Sequence, residues 1–465
     1  MDTRDFPDEI LLDIVHYVGY RSSHDLRGIA LVSRRWYLVA APELLSTVRV
    51  TSLGDLVRLC DHLAEAHTAQ NFLLGHSVSN SNNYVSMIEY HTRSISINGR
   101  DWPIEIGVVG DYHTGLDEYQ PPGGISWVTA PDIQIKYRDM LSKLGAAIPH
   151  LKQLESLEWY GRFPGDYYLV NYLLQTRVLS RLTLGIDNHY VRIPQSYCNI
   201  ATGFKRLKQF SIETKSEDNL GALKRSVINV LNRSPGLERI VIWTGETGLL
   251  LESIRVSPTI PTTPFVWPNL KHLEIGVLEE WFWNKLENVE LLTRFFCAHK
   301  QLQTLIIGCC ENSYHKTHLA AFSLGSYPDS LPNLTCLHAS VHMIAGILES
   351  TSACSALETI VDTGASPERA THELFVETIL ERLERAPSCR LQTLSIGVAG
   401  IQYELLRRFS QVAPCIGVLE LKPPEFGWVE ESSSAQDEPP SHVVIDMMIS
   451  GLNLFPQLHT IGAAI

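Results

Sequence analysis

Covalent and metal chemistry need histidine, cysteine, serine or carboxylate side chains at particular spacings, so those residues are read first. His338 and His342 stand four apart, as two zinc ligands on one helical turn would, but Ala339 occupies the place of the glutamate base. The pair also falls in an expected strand and its exit. His315 and His318 lie in a polar stretch with no third ligand beside them. None of the nine cysteines forms a C-x-x-C, and the adjacent Cys309-Cys310 is badly placed to chelate one ion. They read as reduced thiols packed as small hydrophobes. No G-x-S-x-G, no G-x-x-x-x-G-K-[ST] and no G-x-G-x-x-G occurs, so neither a nucleophile elbow nor a phosphate-cradling loop is indicated. Asn232-Arg233-Ser234 and Asn333-Leu334-Thr335 match the glycosylation acceptor pattern, but the acidic start Met1-Asp2-Thr3-Arg4-Asp5 is not a secretory leader. The expectation is no catalytic residue, no metal and no cofactor: the chemistry of this chain is recognition.

Recognition needs side chains held in rows, and a repeat supplies them. A hexapeptide of form L-x-x-L-x-apolar begins at Leu154, Leu179, Leu207, Leu237, Leu270, Leu302, Leu334, Leu357 and Leu391, with weaker copies at Ile416 and Leu458. Successive starts are 25, 28, 30, 33, 32, 32, 23, 34, 25 and 42 residues apart. Its last three residues alternate in-out-in, as a strand with one buried face does. Between copies the apolar period becomes helical, over residues 223–231, 372–385, 403–412 and 444–454. Pro149, Pro235, Pro268, Pro332 and Pro456 stop these helices just before the next copy. One strand and one helix cannot bury their own apolar face, but stacked copies can. A doubly wound α/β enzyme also alternates strand and helix, yet its strands are continuous apolar runs, and these are not.

Over residues 150–465 this pattern resembles the α/β leucine-rich-repeat family. The family's Asn or Cys, three residues after the last leucine, is matched only by Cys310, with Asp187 a near miss. The resemblance implies a ligand surface on the strand face, made by residues flanking the inward leucines. Glu158, Arg181, Arg239, His272, Glu274 and His338 are the substrate-binding candidates there. Trp281-Phe282-Trp283 is either a core anchor or an exposed hot spot. Ahead of the array, residues 48–50 and 93–97 read as short strands with a helix over 53–66 between them, and 46–150 as irregular leading repeats with a loop insertion near 98–134. Residues 423–442 read as a flexible loop.

Residues 1–45 carry no repeat. Ile10, Leu11, Ile14 and Val18 make an amphipathic helix opened by Pro7, Gly19–His24 breaks it, Asp25–Val32 reads as a second helix, and Ser33 caps a third through Trp36 and Val39. Ile14, Val18 and Ile29 are expected in the core of so small a module, which has more apolar residues than it can hide. Phe6-Pro7-Asp8-Glu9-Ile10-Leu11-Leu12-Asp13-Ile14, then Asp25-Leu26, then Leu31-Val32-Ser33-Arg34-Arg35-Trp36, is similar to the F-box. The Val18–Asp25 loop is about three residues longer than the family's, and Phe6 replaces its leading Leu. The resemblance, a pairing known from fungal F-box/leucine-rich-repeat proteins, implies a small N-terminal three-helix F-box followed by an irregular leucine-rich-repeat solenoid over 46–465, parallel strands inside and helices outside. It implies a substrate receptor of an SCF-type cullin–RING ubiquitin ligase. Pro7, Ile10, Leu11, Ile14, Leu31, Val32 and Trp36 would contact the Skp-family adaptor, and the repeats an unknown protein substrate. A non-degradative interaction scaffold is the alternative, and an uncharacterised enzyme the third reading.

Composition narrows the remaining classes. The 465 residues are 45% apolar and 19% charged, which excludes a disordered or collagen-like chain. A net charge of −13 disfavours a nucleic-acid partner. No apolar run reaches the ~18 residues that span a bilayer. A cytoplasmic or nuclear protein is expected.

Overall fold

The computed structural model describes residues 7–21, 23–52, 54–61, 91–98, 142–146, 148, 151–160, 179–186, 204, 206–214, 220–243, 266–277, 286–308, 322–363, 369–386, 390–397, 403–422 and 453–463. Two compact units form, residues 1–188 with 193–204, and 189–192 with 205–465. The first holds helices α1 (Asp8–Arg21), α2 (Ser23–Ala30) and α3 (Arg34–Ser46) and strands β1 (Thr47–Val50), β2 (Ser94–Asn98), β3 (Ser156–Tyr160) and β4 (Arg181–Ile186). The second runs β5 (Gln209–Thr214), α4 (Leu220–Arg233), β6 (Arg239–Trp243), β7 (His272–Val277), α5 (Leu286–Ala298), β8 (Thr304–Gly308) and β9 (Cys336–Ala339). It continues α6 (Val341–Ile347), α7 (Thr351–Ala356), β10 (Thr359–Asp362), α8 (Arg369–Arg385), β11 (Thr393–Gly397), α9 (Tyr403–Val412), β12 (Val418–Lys422) and β13 (Thr460–Ala463).

Each hexapeptide becomes a strand that starts two residues after its first apolar position, weaker copies included. All pairings are parallel and join neighbours in sequence, β1 to β4 in the first unit and β5 to β13 in the second. This α/β order is compatible with a solenoid. The register stacks like on like: Phe210, Ile240, Leu273, Leu305, Leu337, Ile360, Leu394 and Leu419 form one buried column. Ile212, Ile242, Ile275 and Ile307 form a second. Each such side chain contributes roughly 1.5–3 kcal/mol by leaving water.

A further buried column precedes seven of the strands. The N–H of the hexapeptide's first residue donates to the carbonyl three residues earlier, at Leu154→Leu151, Leu237→Ser234, Leu270→Trp267, Leu302→His299, Leu334→Leu331, Ile416→Ala413 and Leu458→Phe455. The accepting residues are all buried. The next position is Pro235, Pro268, Pro332, Pro414 or Pro456 in five of these turns, where proline presets φ for a β-turn. Of the prolines read as helix stops, Pro235, Pro268, Pro332 and Pro456 therefore also build the turn that starts the next strand, and Pro149 lies outside the described residues.

In that column Trp267 and His299 lock two repeats together. The Trp267 backbone N–H donates to His299 Nε2 at 3.0 Å, so His299 carries its proton on Nδ1 and donates it to the Phe295 carbonyl at 2.7 Å. The Trp267 indole N–H donates to the Leu231 carbonyl at 3.0 Å. Phe295 packs on the His299 ring with centroids 3.9 Å apart.

The longer helices bury single stripes, as with Val376, Ile379, Leu380 and Leu383 of α8. Arg408 of α9 ties the two last long helices together by pairing with Glu377 and Glu384 of α8. Of the expected helices, 372–385, 403–412 and 223–231 are present within α8, α9 and α4, and residues 54–61 are helical, started by a Ser52–Asp55 capping box. Residues 98–134 and 423–442 (Asn98 apart), Trp281-Phe282-Trp283, His315, His318 and Cys309-Cys310 lie outside the described residues, as does most of 444–454.

Three expectations are corrected. The break over Gly19–His24 does not take that form, since α1 runs to Arg21 and α2 starts at Ser23; one glycine costs a helix only about 1 kcal/mol. The second helix ends at Ala30 and not Val32, because the extended Ser33 that caps α3 draws the residues before it into a turn. His342 sits in α6, not at a strand exit; every residue of α6 is buried, so its sequence shows no helical period.

Burial holds His299 and His342 neutral, each pushed down to about 4 from the ordinary 6.5. The unfolded chain takes up these protons near pH 6.5 and the folded chain only near 4, so stability is full above 6.5 and falls as pH drops toward 4. His299→Asn should lower stability at neutral pH yet flatten that acid slope, removing about 3 kcal/mol of the total loss, read from urea midpoints against pH. An unchanged slope would refute the assignment.

Candidate functional site

The first candidate surface is built by α1–α3. Leu11, Val15, Leu26, Ala30, Trp36 and Ala40 form its core, with Val18, Ile29, Tyr37, Val39 and Leu44 packed against them. The Ser33 side chain accepts the Trp36 N–H at 3.3 Å, which fixes the start of α3 and the turn before it. That turn lifts Leu31 and Val32 into solvent, 86% and 66% exposed. Ile10, Leu12, Ile14, Tyr17 and Leu38 add exposed apolar surface, and Pro7 is exposed at the head of α1.

Of the seven residues assigned to an adaptor contact, Pro7, Ile10, Ile14, Leu31 and Val32 are at the surface. Leu11 and Trp36 are not: both are core, 0% and 9% exposed, because so small a module spends its largest side chains on holding three helices together. Ile14, expected inside, is outside; Val15 takes the inward place. Leu12, Tyr17 and Leu38 were missed in the sequence because exposure depends on which face of a very short helix the other two cover.

The second candidate surface is the outward face of the strands. Register puts Arg239 beside His272 on β6 and β7, with Glu274 two residues along β7. Glu274 is the centre of the group. Its Oε2 lies 3.2 Å from His272 Nε2 and 3.5 Å from an Arg239 guanidinium nitrogen, and its Oε1 accepts the Trp243 indole N–H at 2.7 Å. Burial pushes the His272 pKa down, with help from Arg239, while Glu274 pulls it back up; the net shift is downward. His272 is therefore neutral at pH 7.

Trp243, 38% exposed, was not singled out in the sequence, yet its position carries a signal. It is the residue after the hexapeptide, and the same place in the next repeat is Gly276, a bulge where a Cβ would come within 3.2 Å of the Trp243 backbone and 3.4 Å of its ring. The indole lies on that glycine. Tyr160 and Gly185 repeat the device in the first unit, where a Cβ would meet the Tyr160 ring at 2.4 Å.

The other strand-face candidates are not part of this group. Glu158 and Arg181 stand on β3 and β4 of the first unit, in register with Thr183 and Ser156. His338 stands two strands beyond Glu274, half-buried between Ile306 and Val361.

Among the described residues no cluster of three or more His, Cys, Asp or Glu could hold a metal ion, and no helix is long and apolar enough to cross a membrane. No protein-family model and no curated protein matches the chain.

Leu11→Ala should cost about 2–5 kcal/mol by emptying the three-helix core, whereas Leu31→Asp with Val32→Asp should leave the melting temperature nearly unchanged. Calorimetry of both variants decides whether the turn is surface or core. In Glu274→Gln, loss of the carboxylate that favours the imidazolium should lower the His272 pKa further, read from its ring-proton NMR titration; a rise would refute the pairing.

Proposed function

We propose that the chain is the substrate-recognition subunit of an SCF-type cullin–RING ubiquitin ligase. The α1–α3 module is an F-box that binds a Skp-family adaptor, and the repeats are of the leucine-rich type and hold the protein to be ubiquitylated. The chain is a non-catalytic adaptor acting in the cytoplasm or nucleus.

The observation that carries this reading is the exposed apolar turn at Leu31 and Val32, with Ile10 and Ile14 also exposed on α1. Surface of that kind on so small a module is an interface in waiting. It coincides with the residues through which the sequence resembles the F-box. Leu11 and Trp36 then act from beneath, by setting the angles of the helices that carry the contacts. The in-order parallel strands support the second half of the reading, because they leave one sheet face with a regular row of polar and apolar side chains.

The test is co-purification of the full chain with a Skp-family adaptor. Leu31→Asp with Val32→Asp should weaken capture at least about 30-fold, since two central apolar anchors are each worth roughly 1–2 kcal/mol or more. Glu274→Gln should leave capture unchanged. A wild-type chain that captures no adaptor, or a double variant that captures it as well as wild type, removes the reading.

A further inference from the structure

We propose that the contact between Trp267 and His299 is an acid-sensitive seam: protonation of His299 opens the array locally between the repeats of β7 and β8, before the fold as a whole gives way. The inference is independent of the receptor reading above, and goes beyond the fall in overall stability by naming where the chain parts first.

The seam is a relay of donors and acceptors with one titratable member. The Trp267 backbone N–H donates to His299 Nε2 at 3.0 Å, and His299 Nδ1 gives its proton to the Phe295 carbonyl at 2.7 Å. Only the neutral ring can do both. A proton added at Nε2 points at the Trp267 N–H, donor against donor, and the bond between the two turns is lost. The new charge also sits on a residue only 2% exposed, between the rings of Trp267 and Phe295. The end of α5 opposes this, because a helix C-terminus favours a cation and the Phe295 carbonyl accepts from the ring. Burial outweighs that help and holds the pKa down at about 4.

Among the described residues no carboxylate contributes to the His299 pKa, which burial and the Phe295 carbonyl set between them. On α5, Glu290 and Arg294 are exposed and pair with each other at 3.8 Å, and the half-buried Cys297 lies against Ser330. Lys300, next in the chain, is exposed and repels a second cation. On the Trp267 side Lys271 is exposed and pairs with Glu238, and Arg233 at the end of α4 is exposed.

Position confines the effect. The other residues of this turn column are Leu151, Ser234, Trp267, Leu331, Ala413 and Phe455, none of which gains a charge in this pH range. His342, the second buried histidine, belongs to α6 and not to this seam. In a stack where each repeat rests on its neighbours, one seam can open while the others hold. The turn at Trp267 leads directly into β7, which carries His272 and Glu274, so an opening there reaches the strand-face group.

The experiment is hydrogen exchange of the full-length chain at pH 7 and pH 5, read by mass spectrometry on peptides that contain Trp267 and on peptides of β12, with rates corrected for intrinsic exchange. His299 takes its proton near 6.5 in the open form and only near 4 in the closed one, so the seam should open about 20-fold more often at pH 5 than at pH 7. The Trp267 peptides should lose protection by that factor and be less protected than β12 at pH 5. In His299→Asn, which cannot take up the proton, protection at Trp267 should no longer depend on pH over this range. Protection at Trp267 that does not change with pH, that falls only in step with β12, or that keeps its pH dependence in His299→Asn overturns the proposal. Should that variant fail to fold, the comparison of Trp267 with β12 in the wild-type chain decides alone.

Discussion

One main-chain carbonyl per repeat sets the register on which everything else depends. In the second unit the carbonyls of Lys208, Glu238, Lys271, Gln303, Thr335, Glu358, Gln392 and Gly417 each accept N–H bonds from the first residue of the next strand and the residue before it, at 2.7–3.1 Å. Arg93 and Glu155 do the same in the first unit. A carbonyl has two lone pairs, so this fork uses its full capacity and fixes where the next strand begins. The buried turn that precedes it aims the chain into the fork. A slip of one residue would turn every inward leucine outward, so register and burial enforce each other. This explains how the spacing between copies can vary from 23 to 42 residues: the connection is free to change so long as turn and fork are kept.

The strands were legible in the sequence because their signal is short, local and repeated. A leucine pair and an alternating tail suffice to place β3 to β13, and the outward positions follow by counting. The helices were less legible for differing reasons. The stripes of α8 and α9 have polar backs and so show a period, whereas α6 is buried on all sides and shows none. The residues of the three-helix module were read with the right types but the wrong faces at Leu11 and Trp36. A helix of two to four turns offers no internal measure of which apolar side its neighbours will cover; that is decided in three dimensions, by Val15 and Trp36 meeting Leu26.

The strand-face group shows the same division. Arg239, His272 and Glu274 could be nominated by counting, because register converts equal positions in successive repeats into neighbours. Trp243 could not be nominated that way, since its importance lies in a pair of residues, an aromatic in one repeat and a glycine at the same place in the next. Such pairs are invisible to a pattern that asks for the same residue type in every copy. Glu158, Arg181 and His338 satisfied the count but stand outside the group centred on Glu274.

Departures from the repeat are tolerated where the backbone supplies what the side chain asks for. Asp362 falls in the column that Ile212, Ile242, Ile275 and Ile307 make apolar, and it is buried. Its carboxylate accepts the Gly397 N–H from the next strand at 3.3 Å, so a charge that would be costly in isolation becomes a cross-strand tie. Ser234, Trp267 and His299 make the same point in the turn column, where three unlike residues occupy one buried position. There too the chain keeps the backbone geometry and lets each side chain find its own partner, Leu231 for Trp267 and Phe295 for His299. A repeat held by main-chain geometry needs no consensus side chain at the turn. That is the physical reason the array stacks in register although unlike residues fill its turn position.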